Sequence, residues 1–404
     1  MNVLFLTLAE FNSIEEKRHA LYTDLLELFR KDGHQVYAIS PISASNGKDT
    51  YIVREENTQI LRLKTGDVQK TNIIKKGINT LTIETVFKNA IKKYFSGVKF
   101  DLVLYSTPPI TFYKAIAYVK KRDNAKTYLL LKDIFPQNSV DLGLLSKSGP
   151  KGSIYRYFRR KEKLLYDISD RIGCMSEANV KYILDNNSNV SADKIEVCPN
   201  SIEPVDRSAS PEQRRELREK YGLPQDKKIF VYGGNLGKPQ GVDFIIECLQ
   251  KQSFDDVYFL IVGSGTEFDK FKAFVDTSKK DNVKLLSFIP KDDYDKLVGS
   301  CDAGMIFLDY RFTIPNFPSR LLSYMQAKLP VICATDPNTD IGTIAEQNGF
   351  GVKCLSNDAD GFVNGVAKLL NADMQKMGEQ GFRCLNEMFA VGKAYGIILS
   401  SMVR

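Results

Sequence analysis

Strand-length apolar runs alternate with helical patterns along almost all of this 404-residue chain, and a glycine, proline or polar turn marks each change of period. Such alternation points to α/β layering, because a strand that re-enters its own sheet in the same direction needs a crossover long enough to be a helix. In the first half, strands are expected over residues 3–6, 36–40, 102–105, 127–131, 171–175 and 195–198. A helix over residues 17–31 carries Ala20, Leu21, Leu25, Leu28 and Phe29 on one side and ends at Gly33. The second half repeats the theme, with strands near 229–232, 257–262, 283–286, 304–307, 331–334 and 351–352. The polar, turn-rich segment from Pro199 to Pro211 separates two domains, 1–204 and 205–387, and the last helix, about 388–404, is placed to pack back on the first. The fold expected is two doubly wound, Rossmann-like α/β domains facing across a cleft, with ligands at the carboxyl ends of the strands.

Three loops in the second half follow strands and open helices. They are Gly233-Gly234-Asn235-Leu236-Gly237-Lys238-Pro239-Gln240-Gly241, Gly263-Ser264-Gly265, and Pro315-Asn316-Phe317-Pro318-Ser319-Arg320. Backbone N–H groups and the helix dipole favour an anion at such junctions. Three of them on one sheet suit a bulky anionic ligand, and a nucleotide diphosphate fits.

Charge is unevenly spread. Residues 1–204 hold 31 basic against 23 acidic side chains and residues 205–404 hold 25 against 26, so the net +7 resides in the first half. Lys75 and Lys76 follow Ile73-Ile74, and Arg156, Arg159 and Arg160 interleave with Tyr155, Tyr157 and Phe158. Basic stretches threaded with apolar residues suit an anionic membrane surface or a lipid diphosphate, although a solvated helix face is the commoner meaning of a charge run. They carry no nucleic-acid-binding motif. The seven cysteines are scattered with no Cys-x-x-Cys, which favours reduced core thiols and a cytoplasmic setting over a zinc site. No run is long and apolar enough to cross a bilayer, and the N-terminus, Met1 to Thr7, reads as a first buried strand and not as part of a signal peptide.

With these residues in view, the chain resembles the GT-B-fold glycosyltransferases of family 4, retaining nucleotide-sugar transferases. Within them it is most similar to the branch that builds bacterial capsular and O-antigen polysaccharides, including transferases of N-acetylated amino sugars. Arg18-His19, Gly33-His34-Gln35-Val36, Lys132-Asp133-Ile134-Phe135-Pro136, Asp141-Leu142-Gly143, Val197-Cys198-Pro199-Asn200-Ser201 and the three loops carry the resemblance in the family's order. There are departures. Asn235 and Gln240 stand where many members have the Arg and Lys of G-R-L-x-x-x-K-G, and Pro315 and Ser323 stand where most have two glutamates.

The resemblance implies transfer from a UDP-sugar to a lipid-linked (polyprenyl-diphosphate) saccharide, with retention and without a metal or other cofactor, at the inner face of the cell membrane. A catalytically silent partner of another transferase subunit and a nucleotide-sugar 2-epimerase are alternatives. The epimerase needs several acid–base groups, and the chain has only His19 and His34 as histidines. Breaking a glycosidic bond to a diphosphate demands positive charge where the leaving group gains negative charge. Arg320 and Lys238 are the expected cations, converging on one pyrophosphate, with Asp133 at a strand end to orient or deprotonate the acceptor hydroxyl. Donor contacts are expected from Gly234, Asn235, Gln240, Gly263, Gly265, Phe288, Ile289, Ser319 and Ser323. Acceptor or membrane contacts are expected from Lys75, Lys76, Ser106, Arg156, Arg159 and Arg160.

Overall fold

A computed structural model describes residues 1–14, 20–43, 47–66, 73–278 and 280–403, with no side-chain description at 73–81 and 403. The chain divides into two compact units, Met1–Glu203 with Val391–Arg404, and Pro204–Ala390.

The first unit begins β1 (Asn2–Leu6), α1 (Leu21–Lys31), β2 (Gln35–Ser43), β3 (Tyr51–Glu55), β4 (Thr58–Thr65), α2 (Ile73–Tyr94) and β5 (Leu102–Ser106). It continues α3 (Tyr113–Asp123), β6 (Lys126–Leu131), α4 (Gln137–Asp141), α5 (Gly149–Ile168), β7 (Arg171–Cys174), α6 (Glu177–Asn186) and β8 (Ile195–Val197). The sheet order is β3-β4-β2-β1-β5-β6-β7-β8, parallel except where β3 meets β4. Central strands such as Leu102-Val103-Leu104-Tyr105 are buried along their length, as expected of parallel strands covered on both faces. The hairpin β3–β4 is absent from the sequence expectation. Its short turn places Asn57 at φ 53°, and β3 is an edge strand whose half-exposed residues do not form an apolar run.

The second unit runs α7 (Pro211–Lys220), β9 (Lys228–Asn235), α8 (Val242–Lys251), β10 (Val257–Ser264), α9 (Phe268–Thr277), β11 (Val283–Leu286) and α10 (Lys291–Gly299). Then come β12 (Ala303–Phe307), α11 (Arg320–Gln326), β13 (Val331–Thr335), α12 (Ile341–Gln347), β14 (Gly351–Leu355), α13 (Ala359–Leu370) and α14 (Met374–Met388). Its all-parallel order is β11-β10-β9-β12-β13-β14. Ser210 opens α7 with a capping box to Gln213, and Pro211 occupies the first turn, where no N–H is needed. The last helix, α15 (Val391–Val403), belongs to the first unit, where Val391, Ala394 and Ile398 join Leu25, Leu26 and Phe29 in one buried cluster.

Both sheets reverse winding direction once, between β1 and β5 and between β9 and β12. The crevice at such a reversal is where doubly wound sheets take ligands. Next to the second reversal, glycines let main chains approach closely. A Cβ on Gly263 would lie 2.0 Å from the Gly234 carbonyl oxygen of the neighbouring strand, and one on Gly233 would lie 1.7 Å from Tyr294 Oη. Among the described residues, no helix is long and apolar enough to cross a membrane. Gly263→Ala meets backbone that cannot rotate aside, so urea unfolding should show a loss of ~3 kcal/mol; a cost below ~0.5 kcal/mol would mean the two strand ends separate freely.

Candidate active site

At the carboxyl end of β9 the chain reads Tyr232-Gly233-Gly234-Asn235, and Arg320, the first residue of α11, reaches it. The guanidinium carbon lies 4.5 Å from the centroid of the Tyr232 ring, within cation–π range. Gly234, at φ 137°, leaves the room this needs, since a Cβ there would sit 3.1 Å from Arg320 Nη2. Tyr324, one turn further along α11, accepts from Gly233 N (3.3 Å) and donates to the Met305 carbonyl (3.2 Å), tying β9, β12 and α11 together. Tyr294 from α10 closes the cluster over Gly233.

The electrostatics of this cluster are unbalanced. Burial pushes the phenols of Tyr232 and Tyr294 up and that of Tyr324 to about 12, so all three are neutral near pH 7. No carboxylate pairs with Arg320 among the described residues, its Nη1 is buried without a hydrogen-bond partner, and so is Tyr294 Oη. A desolvated cation and hydroxyl left unmatched cost several kcal/mol together. An anion carrying acceptor oxygens would offset that cost.

The other donor-side residues divide by role. Asn235 Nδ2 donates to Gln240 Oε1 (2.8 Å), so these two uncharged side chains bridge the first loop instead of presenting charge. Gly263 and Gly265 serve close chain approach; a Cβ on Gly265 would meet the Leu236 carbonyl oxygen at 2.3 Å. Phe288, beyond β11, is 75% exposed, and Ile289 is half-buried beside it. Ser319 is exposed and makes no capping hydrogen bond, Ser323 is half-buried, and α11 spans only 7 residues, so its dipole is a small addition to the Arg320 charge. Lys238 lies in a single 3₁₀ turn, Lys238–Gln240, exposed at a cavity of about 470 Å³ bordered also by Asp243, Lys270, Asp309 and Arg311. There Lys270 pairs with Asp243 and Arg311 with Asp309 (2.7 Å), while Lys238 has no carboxylate partner among the described residues. Arg320 is not among the residues lining that cavity.

In the first unit, Asp133 follows the carboxyl end of β6. Thr107, just past β5, fixes the turn: its Oγ1 accepts from the backbone N–H groups of Lys132 (3.0 Å) and Asp133 (3.2 Å). Asn138 Nδ2 donates to both oxygens of Asp133, at 2.9 and 3.1 Å. Burial nevertheless raises the Asp133 carboxyl to about 6, the range suited to a group that takes up a proton near neutrality. Glu162 is also pushed up by burial, with the Asp133 charge adding to the effect. Asn138, Tyr294 and Tyr324 escaped the sequence reading; a polar residue five positions after Asp133, across Pro136, was the available signal for Asn138.

Two of the acceptor or membrane assignments change. Ser106 is 1% exposed and donates to Thr7 Oγ1 (3.2 Å) inside the first sheet's reversal, so it supports the crevice floor and does not line an open face. Arg159 turns inward: it pairs with Glu162 and donates to the Asn186 carbonyl (2.8 Å) and Asn187 Oδ1 (2.7 Å). An i,i+3 acid below a basic residue directs it to the helix's own surface, away from solvent. Lys75 and Lys76 lie outside the described residues for their side chains, and Arg18 and His19 lie outside them altogether. Arg156 and Arg160 are exposed. His34 packs on Phe29 (5.8 Å between rings), and all seven cysteines are free thiols.

Residues 213–383 match the family model described as glycosyl transferases group 1, which covers most of the second unit. The "Probable glycosyltransferase WbjE" of Pseudomonas aeruginosa is 23% identical over 314 residues, 76% of this chain and 75% of that protein. WcaI of Escherichia coli (strain K12), provisionally named a glycosyl transferase of colanic acid biosynthesis, is 22% identical over 277 residues, 67% of this chain and 66% of its own length. Among solved structures, Anabaena HepE in complex with UDP matches with a TM-score of 0.70 at 15% identity, covering 100% of both chains. The chain has the GT-B fold, and within its second unit residues 213–383 are similar to the group 1 glycosyl transferases.

The folded pKa of Asp133 lies above its unfolded value, so its ionisation costs stability as pH rises from about 4 to about 6, and the penalty is constant above that. Asp133→Asn should therefore stabilise the protein by on the order of 1 kcal/mol at neutral pH, with the gain shrinking to nothing in acid. Urea unfolding at a series of pH values measures this. A gap that does not change across the interval would mean Asp133 is solvated.

Proposed function

We propose that this protein transfers a sugar from a UDP-sugar to a lipid-linked saccharide on a polyprenyl-diphosphate carrier, with retention at the anomeric carbon, in the synthesis of a bacterial surface polysaccharide. The observation that carries this reading is the uncompensated Arg320 guanidinium under the Gly233-Gly234 turn, at the carboxyl end of β9 where the second sheet reverses. The group 1 family match over the second unit, the UDP in HepE and the name of WcaI support it.

In the reaction the bond from the sugar's C1 to the β-phosphate oxygen of UDP breaks, and a bond from the acceptor hydroxyl oxygen to C1 forms on the same face. The electron pair stays with the departing UDP. Arg320 meets the charge that gathers there, with its Nη1 and Tyr294 Oη as the two donors that gain partners. Such donors act most strongly where they are fixed and desolvated, as the Tyr232 stack fixes Arg320. With charge compensation supplied by the guanidinium, the transfer is assigned no metal. The acceptor's proton passes to a phosphate oxygen, and Asp133, held by Asn138 and Thr107, orients the acceptor hydroxyl. Lys238 is assigned to the rim of the first loop as a secondary charge. Asn235 and Gln240 are neutral and bonded to each other, which leaves Arg320 the principal cation beside the end of β9. The setting is the cytoplasmic face of the membrane, where such a carrier lipid presents its saccharide.

Arg320→Ala should lower turnover of the preferred UDP-sugar by about a hundredfold or more, and a drop under about threefold would take Arg320 out of the reaction. Arg320→Met should also raise the melting temperature of the ligand-free protein while abolishing the further rise that UDP gives the parent. A less stable Arg320→Met protein would identify the arginine as structural. UDP binding without turnover across a panel of UDP-sugars would make this chain a silent partner subunit.

A further inference from the structure

The helices α2, α3 and α5 pack in that order over one face of the first sheet, and together they carry four carboxylates: Glu84, Asp123, Glu162 and Asp167. Three of these are buried and spent on internal ion pairs. Glu84, 2% exposed on α2, holds both Lys161 of α5 (2.7 Å) and Lys114 of α3 (3.2 Å), so it fastens the three helices together. Asp123 is paired with Arg122 (2.6 Å) and also accepts from Phe100 N (3.1 Å). Glu162, 3% exposed, takes Arg159 and the Tyr166 hydroxyl (2.8 Å). Only Asp167, at the far end of α5, is exposed.

The consequence is an outer helical surface nearly stripped of negative charge. Lys92, Lys93, Lys121, Arg156, Arg160 and Lys163 are all exposed on it. Exposed apolar side chains gather at one end: Leu144 just before α5 is 50% exposed, and Ile154 and Tyr157 in its first turns are 49% and 39% exposed. Ile154 and Tyr157 are three positions apart and share a helix side, with Arg156, Arg160 and Lys163 on the adjoining one.

We infer that the outer face of α2, α3 and α5, led by Leu144, Ile154 and Tyr157, docks the protein on an anionic phospholipid surface. The basic residues meet headgroup phosphates, and the three apolar side chains enter the headgroup boundary. A nucleic acid would also answer the charge, but it would leave these aliphatic and aromatic groups against a sugar–phosphate backbone with no gain from their burial. The inference rests on the membrane setting of the proposed transfer and adds which surface faces the lipid.

The test is flotation of the full-length protein with phosphatidylcholine vesicles, with and without phosphatidylglycerol, at low and high salt. The parent should bind only the phosphatidylglycerol vesicles and release as salt rises. Lys92→Gln/Lys93→Gln/Lys163→Gln should bind them about tenfold more weakly at low salt, and Ile154→Ser/Tyr157→Ser should bind more weakly at both salt levels. UDP binding, which reads the second unit, and the melting curve should stay at parental values; should either multiple variant fail to fold, Lys121→Glu alone supplies the charge test. Equal binding to neutral vesicles, variants that bind like the parent, or tighter binding to duplex DNA than to vesicles would each overturn the inference. The two readings fail separately. Vesicle binding without turnover of any UDP-sugar keeps this surface and loses the reaction, and turnover without vesicle binding does the reverse.

Discussion

The second unit is organised around a place where side chains have been removed. β9 and β10 end in register, Gly233 and Gly234 beside Val262 and Gly263, and the contact between Gly263 and the Gly234 carbonyl leaves no volume for a methyl group. That closeness sets the heights of three aromatic residues. Tyr294 fills the space over Gly233, Tyr324 lies against Gly304, where a Cβ would come within 2.3 Å of its ring, and Tyr232 presents its face to Arg320. Interiors packed to this density move as units, so the position of the guanidinium follows from the glycines more than from any bond of its own.

Charge is handled in opposite ways in the two units. Around Arg320 a cation is held without an anion, in a setting where three neutral phenols replace water. In the helical layer of the first unit the acids are the buried partners: Glu84, Asp123 and Glu162 are each matched by a basic side chain, and Lys92, Lys93, Lys121, Arg156, Arg160 and Lys163 are left outside. Buried pairs of this kind contribute little net stability, because desolvation offsets most of the attraction. What they do establish is where the unmatched positive charge lies. The excess of basic residues in the first half of the sequence is therefore a surface property of one helical layer more than a general polarity of the unit.

Much of the fold was legible because parallel strands covered on both faces must be apolar throughout. Runs such as Leu102–Ser106 and Val257–Ser264 have few alternatives at their length. The hairpin β3–β4 was not legible, since Arg54, Glu55, Arg62 and Lys64 interrupt its apolar residues. At the site, Asp133 stood out as a carboxylate just past a strand end, and Arg320 as the charged residue that opens a helix after a proline-bounded loop. The grouping of Tyr232, Tyr294 and Tyr324 was not legible, since they are separated by up to 92 positions and joined only by the register of β9 and β12 with the helices above. Arg159 was read as part of a basic patch although Glu162 stands three residues on. The helical period that would have turned it inward was present in the sequence, and the charge count obscured it.

The second unit is an insertion into the first, which closes only when α15 lays Val391, Ala394 and Ile398 beside Leu25, Leu26 and Phe29. On the ribosome, the half that emerges earliest must wait with an open hydrophobic seam while the other half is made and folds on its own schedule. That seam closes only after residues 391–398 have been made. A polypeptide released before those residues would hold the finished second sheet while Leu25, Leu26 and Phe29 lack the cover that Val391, Ala394 and Ile398 give.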